Sequence, residues 1–280
     1  MRRYLNQNLP FKKEEHMSLF QVNYPSDVMN KYMGMNVILP DEDRGFYDEE
    51  GKYPVLYLLH GYTDDYTKWA RMTSIERYAA DLGFAVVMPE GGKSFYTDMA
   101  YGDPYFTQIT EEIPKYLKKW FPITQDPKYT FIAGLSMGGY GAMKIGMTYP
   151  DRYSVIGSFS GALLMAQTAA EPIADDAEAW LKRLEADIRL VFDDVHHVVG
   201  GPEDLLWLAS DLVTKKRERP NMYLSCGTDD FILESTAIFC KQLDALNLDY
   251  KYYEGPGAHE WAFWDQEVLK FMYWIKSLRD

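Results

Sequence analysis

The chain has 280 residues, 47% of them hydrophobic and 25% charged, an ordinary globular composition that suits one or two domains. Its formal net charge of −13 argues against a nucleic-acid or anionic-membrane partner, since both need a cationic surface, and is read as a source of solubility. Two cysteines, Cys226 and Cys240, are too few for a disulfide framework and are read as buried thiols suited to a reducing compartment.

The segment Met1 to Pro10 carries Arg2 and Arg3 but no following apolar run of signal length. No stretch approaches the ~20 apolar residues of a membrane span. The expectation is a cytoplasmic protein. Met35 to Leu39 then reads as a short strand, followed by an acidic, glycine-containing turn from Asp41 to Gly51. Pro54 to Leu59 is a continuous apolar run, as expected for a strand buried on both faces. Ser74 to Asp81 has a helical pattern, and Phe84 to Met88 is a second buried strand closed by Pro89. Pro104 to Trp120 is helical, with Pro114 inside it to bend or restart the helix. Tyr129 to Ala133 is a strand, Met137 to Tyr149 a helix, and Tyr153 to Phe159 a strand. Asn221 to Ser225 and Tyr250 to Tyr253 complete the strands, with helices over Leu233 to Leu246 and Trp261 to Leu278.

This alternation predicts one α/β domain over residues 1–280: a mostly parallel central sheet with helices on both faces. The early strand at Met35 is expected to pair antiparallel at an edge. One connection stands out. Between Gly161 and Pro220 the chain inserts a long segment where a crossover needs short loops and one helix. Ala177 to Leu190 within it has a helical pattern. The segment is a candidate cap or lid, or else a structural helical excursion.

Gly134-Leu135-Ser136-Met137-Gly138 lies between a predicted strand and a predicted helix. A G-x-S-x-G sequence there lets the chain turn sharply and lift a serine hydroxyl above the sheet, with small residues on either side so that backbones can approach. Ser136 is therefore the candidate nucleophile. The Met137 N–H, at a helix N-terminus, is a natural donor to developing negative charge. A serine needs a base, and chains with this motif order the acid and then the histidine after it. Of five histidines, His16 and His60 precede Ser136, while His196 and His197 fall in the inserted segment. His259 follows the last strand in the loop Gly255-Pro256-Gly257-Ala258 and is the candidate base. The acid belongs after the Asn221 to Ser225 strand, where Asp229 and Asp230 both qualify by spacing; the other of the two would cap the helix near Ile232. Leu59-His60-Gly61-Tyr62 ends a buried strand, so that Gly61 lets a substrate close in and the Tyr62 N–H is the second oxyanion donor. His60 is read as a packing or hydrogen-bonding residue. His196-His197 near Asp193-Asp194 lacks a recognised ligand spacing and is read as a solvated loop; no metal site is expected.

These motifs together resemble the esterase D and S-formylglutathione hydrolase group of the α/β-hydrolase superfamily. The resemblance lies in Leu58-Leu59-His60-Gly61 with Trp69 downstream, in Gly92-Lys93-Ser94-Phe95-Tyr96-Thr97-Asp98, in Gly134 to Ala142, and in Gly255 to Trp261. It runs from about Asn36 to Trp274, with the inserted segment its least familiar part. The group includes tributyrin, cinnamoyl and acetyl-xylan esterases and mycolyl transferases. The resemblance implies a Ser136–Asp230–His259 triad, its acid three residues after Gly227 and just before Phe231, and an oxyanion hole at Tyr62 and Met137. It implies hydrolysis of small acyl esters through an acyl-enzyme on Ser136, without a cofactor. The alternatives are glutathione thioester hydrolysis, acyl transfer to an alcohol, and a ligand-binding module on the same scaffold. S-formylglutathione hydrolases usually carry Leu-Thr-Cys after His-Gly, where this chain has Tyr62-Thr63-Asp64, which favours a simple ester. Gly61, Trp69, Phe231 and Trp261 are the expected substrate-binding residues. Oligomeric state is left open between monomer and homo-oligomer.

Overall fold

A computed structural model describes residues 17–40, 47–171, 174 and 176–279. Its strands are β1 (Met17–Ser26), β2 (Lys31–Pro40), β3 (Val55–Leu59), β4 (Ala85–Pro89), β5 (Thr130–Leu135), β6 (Val155–Phe159), β7 (Asn221–Gly227) and β8 (Tyr250–Gly255). They form one sheet in the order β1-β2-β4-β3-β5-β6-β7-β8. The pairs from β4 through β8 are parallel, and the β1–β2 hairpin joins antiparallel at the β4 side.

The buried strands explain their own composition. In β3, Val55, Tyr57 and Leu59 enter the core on one face while Leu56 and Leu58 enter the core on the other. A strand covered on both faces cannot alternate, so it reads as an unbroken apolar run. β1 shows the opposite case and was not legible. Its Leu19, Phe20, Gln21 and Asn23 are exposed on an edge strand, leaving neither alternation nor a continuous run. The predicted Met35 strand is the second half of β2. Of the acidic turn, residues 41–46 lie outside the described residues, as do Met1 to Pro10 and His16; Asp48 accepts the Glu50 and Lys52 N–H groups at 2.9 and 2.8 Å in the described part.

The helices are α1 (Lys68–Met72), α2 (Ile75–Leu82), α3 (Tyr105–Thr107), α4 (Ile113–Trp120), α5 (Met137–Thr148), α6 (Met165–Ala170), α7 (Ala179–Phe192), α8 (Leu205–Thr214), α9 (Leu233–Ala245) and α10 (Trp261–Ser277). A π-helical turn, Gln108–Glu112, joins α3 to α4. Pro114 closely follows this π-helical turn, and the helix runs on past it from α3 through α4 without a restart. α2 and α10 cover one face of the sheet; Met143 and Ile145 of α5 and Leu208 and Leu212 of α8 belong to the core of the other. The segment after β6 is two things. α8 packs on α5 as an ordinary crossover helix leading to β7, and the true excursion comprises α6, α7 and the short turn Val195–His197.

Candidate active site

Ser136 stands between β5 and α5 with φ 53° and ψ −117°. A side-chain-bearing residue held there costs on the order of 1–3 kcal/mol and persists only where the surroundings impose it. They do so here. The Ser136 N–H donates to the Phe159 carbonyl at 3.0 Å, and the Ala162 N–H reaches the Ser136 carbonyl at 3.1 Å. A Cβ on Gly134 would lie 2.4 Å from the Gly138 carbonyl carbon, and one on Gly138 would lie 2.4 Å from the Leu59 oxygen. The two motif glycines are thus required by backbone packed on backbone.

The ends of β7 and β8 bring the other groups in. The Thr228 N–H donates to the Gly255 carbonyl and the Asp229 N–H to the Gly257 carbonyl, each at 2.9 Å. Gly227 allows this, because a Cβ there would sit 2.2 Å from the Gly257 oxygen. With the loops stapled together, His259 Nε2 lies 3.0 Å from Ser136 Oγ, and Nδ1 lies 3.1 Å from both oxygens of Asp230. Burial would push the Asp230 carboxyl up, but hydrogen bonds from His259, Ser160 and the Ile232 N–H outweigh it and hold it below the usual carboxylate range. An ionised Asp230 only accepts, so Nδ1 carries the imidazole proton and the Nε2 lone pair faces the serine.

Asp229 is exposed and stays out of this chain of contacts. Nor does it cap the next helix as expected: α9 has no side-chain cap, and it is Asp230 that accepts the Ile232 N–H, at 3.1 Å. Phe231 is 74% exposed and its ring lies 4.6 Å from the imidazole; Trp264 stands edge-on to the imidazole at 5.0 Å.

The turn after β3 comes up against Ser136. A Cβ on Gly61 would be 3.8 Å from Ser136 Cβ and 3.0 Å from Asp64 Oδ2. His60 beneath it is buried: Nε2 accepts the Gly91 N–H at 2.9 Å, which leaves Nδ1 to donate to the Gly61 carbonyl at 2.8 Å. It shapes the turn and does not face the serine. Met137 opens α5, where the N–H has no acceptor within the helix. The Tyr62 hydroxyl donates to Asp187 of α7. Burial would raise the Asp187 carboxyl, but Tyr62, Lys93 and Arg183 hold it below the usual range.

Trp69 needs correction as a substrate-binding residue. It is 1% exposed, its indole N–H donates to the Leu59 carbonyl at 2.9 Å, and its ring backs Trp261 at 5.2 Å. Trp69 therefore supports the half-buried Trp261 and offers a ligand no surface of its own. Ser160, with φ 47°, and Asp187 went unnoticed in the sequence. No local pattern marks Ser160. Asp187 did leave a signal: it shares a helix face with Ile188 and Val191, an acid on an otherwise apolar stripe. At the solvated loop, His197 pairs with Asp194 at 2.9 Å and Asp193 accepts the Tyr101 hydroxyl.

A mostly parallel sheet with a strained serine after β5, an acid after β7 and a histidine after β8 is the α/β-hydrolase fold. The chain belongs to the esterase family described as "Putative esterase", which it matches over residues 26–274. It is 32% identical over 269 residues to an acetyl esterase of Caldicellulosiruptor saccharolyticus, covering 94% of this chain and 100% of the relative. Among solved structures it is similar to the substrate-bound fluorophosphonate-binding serine hydrolase F of Staphylococcus aureus, with TM-score 0.81 and 30% identity, covering 92% of this chain and 98% of that one. It is also similar to the S-formylglutathione hydrolase of the same organism, with TM-score 0.79 and 32% identity, covering 93% and 99%. Among the described residues no helix is long and apolar enough to cross a membrane.

Proposed function

We propose that the protein is a serine esterase that cleaves small acyl esters, acetyl esters first, in two acyl-transfer steps. The reading rests on one contact pair: His259 Nε2 at 3.0 Å from Ser136 Oγ, with Asp230 on the opposite ring nitrogen. His259 takes the hydroxyl proton as Ser136 attacks the ester carbonyl. The N–H groups of Met137 and Tyr62 receive the oxyanion, Asp230 stabilises the imidazolium, and His259 returns the proton to the departing alcohol. Water then repeats the sequence on the acyl-serine. Phe231 and Trp261 form apolar walls for the ester. The acetyl preference is supported by similarity along nearly the whole chain to an acetyl esterase. Two free, buried thiols, Cys226 and Cys240, support a cytoplasmic site of action.

Similarity to an S-formylglutathione hydrolase favours thioester cleavage by the same groups as a second reading. A panel of p-nitrophenyl acetate and butyrate, a feruloyl ester, acetylated xylan and S-formylglutathione separates the two. Ser136→Ala should lower kcat by a factor on the order of a million and abolish fluorophosphonate labelling. Retained acetate hydrolysis in that variant would overturn the assignment.

A further inference from the structure

Asp187 is 5% exposed, yet it lies on α7, outside the sheet and its crossover helices. Its carboxylate collects donors from three segments: the Tyr62 hydroxyl, Lys93 Nζ at 3.1 Å and Arg183 Nε at 3.1 Å. Lys93 also stands 4.6 Å from the centre of the Tyr62 ring. The phenol is thereby held at its tip by Asp187 and on its face by Lys93. The far end of α7 is fastened separately. The Ala100 and Tyr101 N–H groups donate to the Val191 and Leu190 carbonyls at 2.9 Å, and Phe192 packs on Phe95. Tyr62 follows Gly61 directly, and Gly61 abuts Ser136.

A backbone donor stabilises an oxyanion only if it is held to within about half an ångström of the productive place. The peptide that carries the Tyr62 N–H is held on its carbonyl side, where Gly61 accepts from the Asp64 N–H at 3.2 Å and from His60 Nδ1 at 2.8 Å, and the contacts of the Tyr62 side chain add a second hold. We infer that Asp187 is a positioning residue for ester cleavage: by fixing the Tyr62 phenol it fixes the Tyr62 N–H beside Ser136, so that docking of α7 completes the oxyanion site. The inference rests on the esterase reading above. It gives the excursion after β6 a function, because an undocked α7 leaves the Tyr62 side chain without its anchor.

The test compares Asp187→Asn, Tyr62→Phe and the double variant with the native chain. Steady-state hydrolysis of p-nitrophenyl acetate is measured, together with inhibition by a short alkyl trifluoromethyl ketone, whose serine adduct places an oxyanion in the hole. Each single variant should lower kcat about ten- to a hundredfold with KM nearly unchanged. The inhibition constant should rise by the factor by which kcat/KM falls, and the double variant should be no worse than the poorer single one. Native kcat and inhibition in both single variants, a change confined to KM, or effects that multiply would each overturn the inference. Tyr62→Phe removes one oxygen and carries the test by itself should Asp187→Asn fail to fold. Failure of the esterase reading looks different: the native chain itself would neither cleave the ester nor take up a fluorophosphonate.

Discussion

The Trp264 indole N–H donates to Ser160 Oγ at 3.1 Å. An indole nitrogen can only donate, so it occupies an acceptor position on Ser160 and leaves the hydroxyl proton to point elsewhere. Ser160 also helps to hold Asp230 ionised. Ser160→Ala should therefore weaken the grip on Asp230 without touching Ser136 or His259. A hydrogen bond to a charged group is worth about 1.5–3 kcal/mol, so kcat/KM should fall by about one to two orders of magnitude. Trp264→Phe removes the N–H together with the pyrrole ring, and should give a loss in the same direction. Steady-state kinetics on p-nitrophenyl acetate checks both; native rates in Ser160→Ala would remove Ser160 from the site.

Gly138→Ala should be worse than an ordinary surface substitution, because the added Cβ meets the Leu59 and His60 carbonyl oxygens at 2.4 and 2.7 Å. These are backbone atoms of β3 and its turn, and they cannot rotate away. Overpacking of this kind costs about 1–3 kcal/mol. The shift should also displace Gly61 and Tyr62, so activity should fall further than stability does. Urea denaturation followed by kinetics on the folded fraction separates the two losses.

Asp64 supplies a pH dependence of unusual sign. Burial raises its carboxyl above the ordinary value, against the pull of Lys68 and the Gly61 N–H. The folded protein thus holds this proton at a pH where the unfolded chain has released it. Stability contributed here falls as pH rises from the ordinary carboxylate value through the raised one, and stays lower above it. Asp64→Asn should raise the melting temperature at neutral pH and leave it unchanged at acidic pH. Melting curves between pH 3.5 and pH 8 give the comparison, and equal curves for both proteins at every pH would refute it.

Lys144 is buried on α5, where it is paired with Glu203 and donates to Thr97 Oγ1 at 2.7 Å. It joins the helix that follows Ser136 to the loop at Thr97 and to the segment preceding α8. Glu203 is only half-buried and keeps the Thr97 hydroxyl as a donor at 3.1 Å, so removing Lys144 costs about 1–3 kcal/mol, less than breaking a fully buried pair. Lys144→Met should lose stability on that scale, and Lys144→Met with Glu203→Gln should recover part of it. Urea midpoints for the single and double variants measure the recovery.

Much of this molecule was legible in the sequence because its signals are local. A strand covered on both faces reads as an apolar run, as β3 and β4 do and as β5 does after its first residue, Thr130. A serine lifted above a sheet between crowded backbones needs glycines two residues to either side, and Gly134 and Gly138 are there. With the order of nucleophile, acid and base along the chain, this also singled out His259 among five histidines. Spacing left Asp229 and Asp230 equal. The tertiary structure separates them, because the Asp229 N–H is spent on Gly257 while the Asp230 side chain turns inward to the imidazole.

What only the tertiary structure decided follows the same physics in reverse. β1 is an exposed edge, so its pairing with β2 imposes no pattern on its residues. Trp69 is closed to a substrate only through its burial behind Trp261, a contact that its place in the sequence does not announce. Ser160 and Asp187 act on groups far away in sequence, on Asp230 and on Tyr62. Periodicity and motif spacing record what a residue does to its near neighbours. A contact between residues far apart along the chain leaves no such record, and it exists only once the sheet has brought its two ends together.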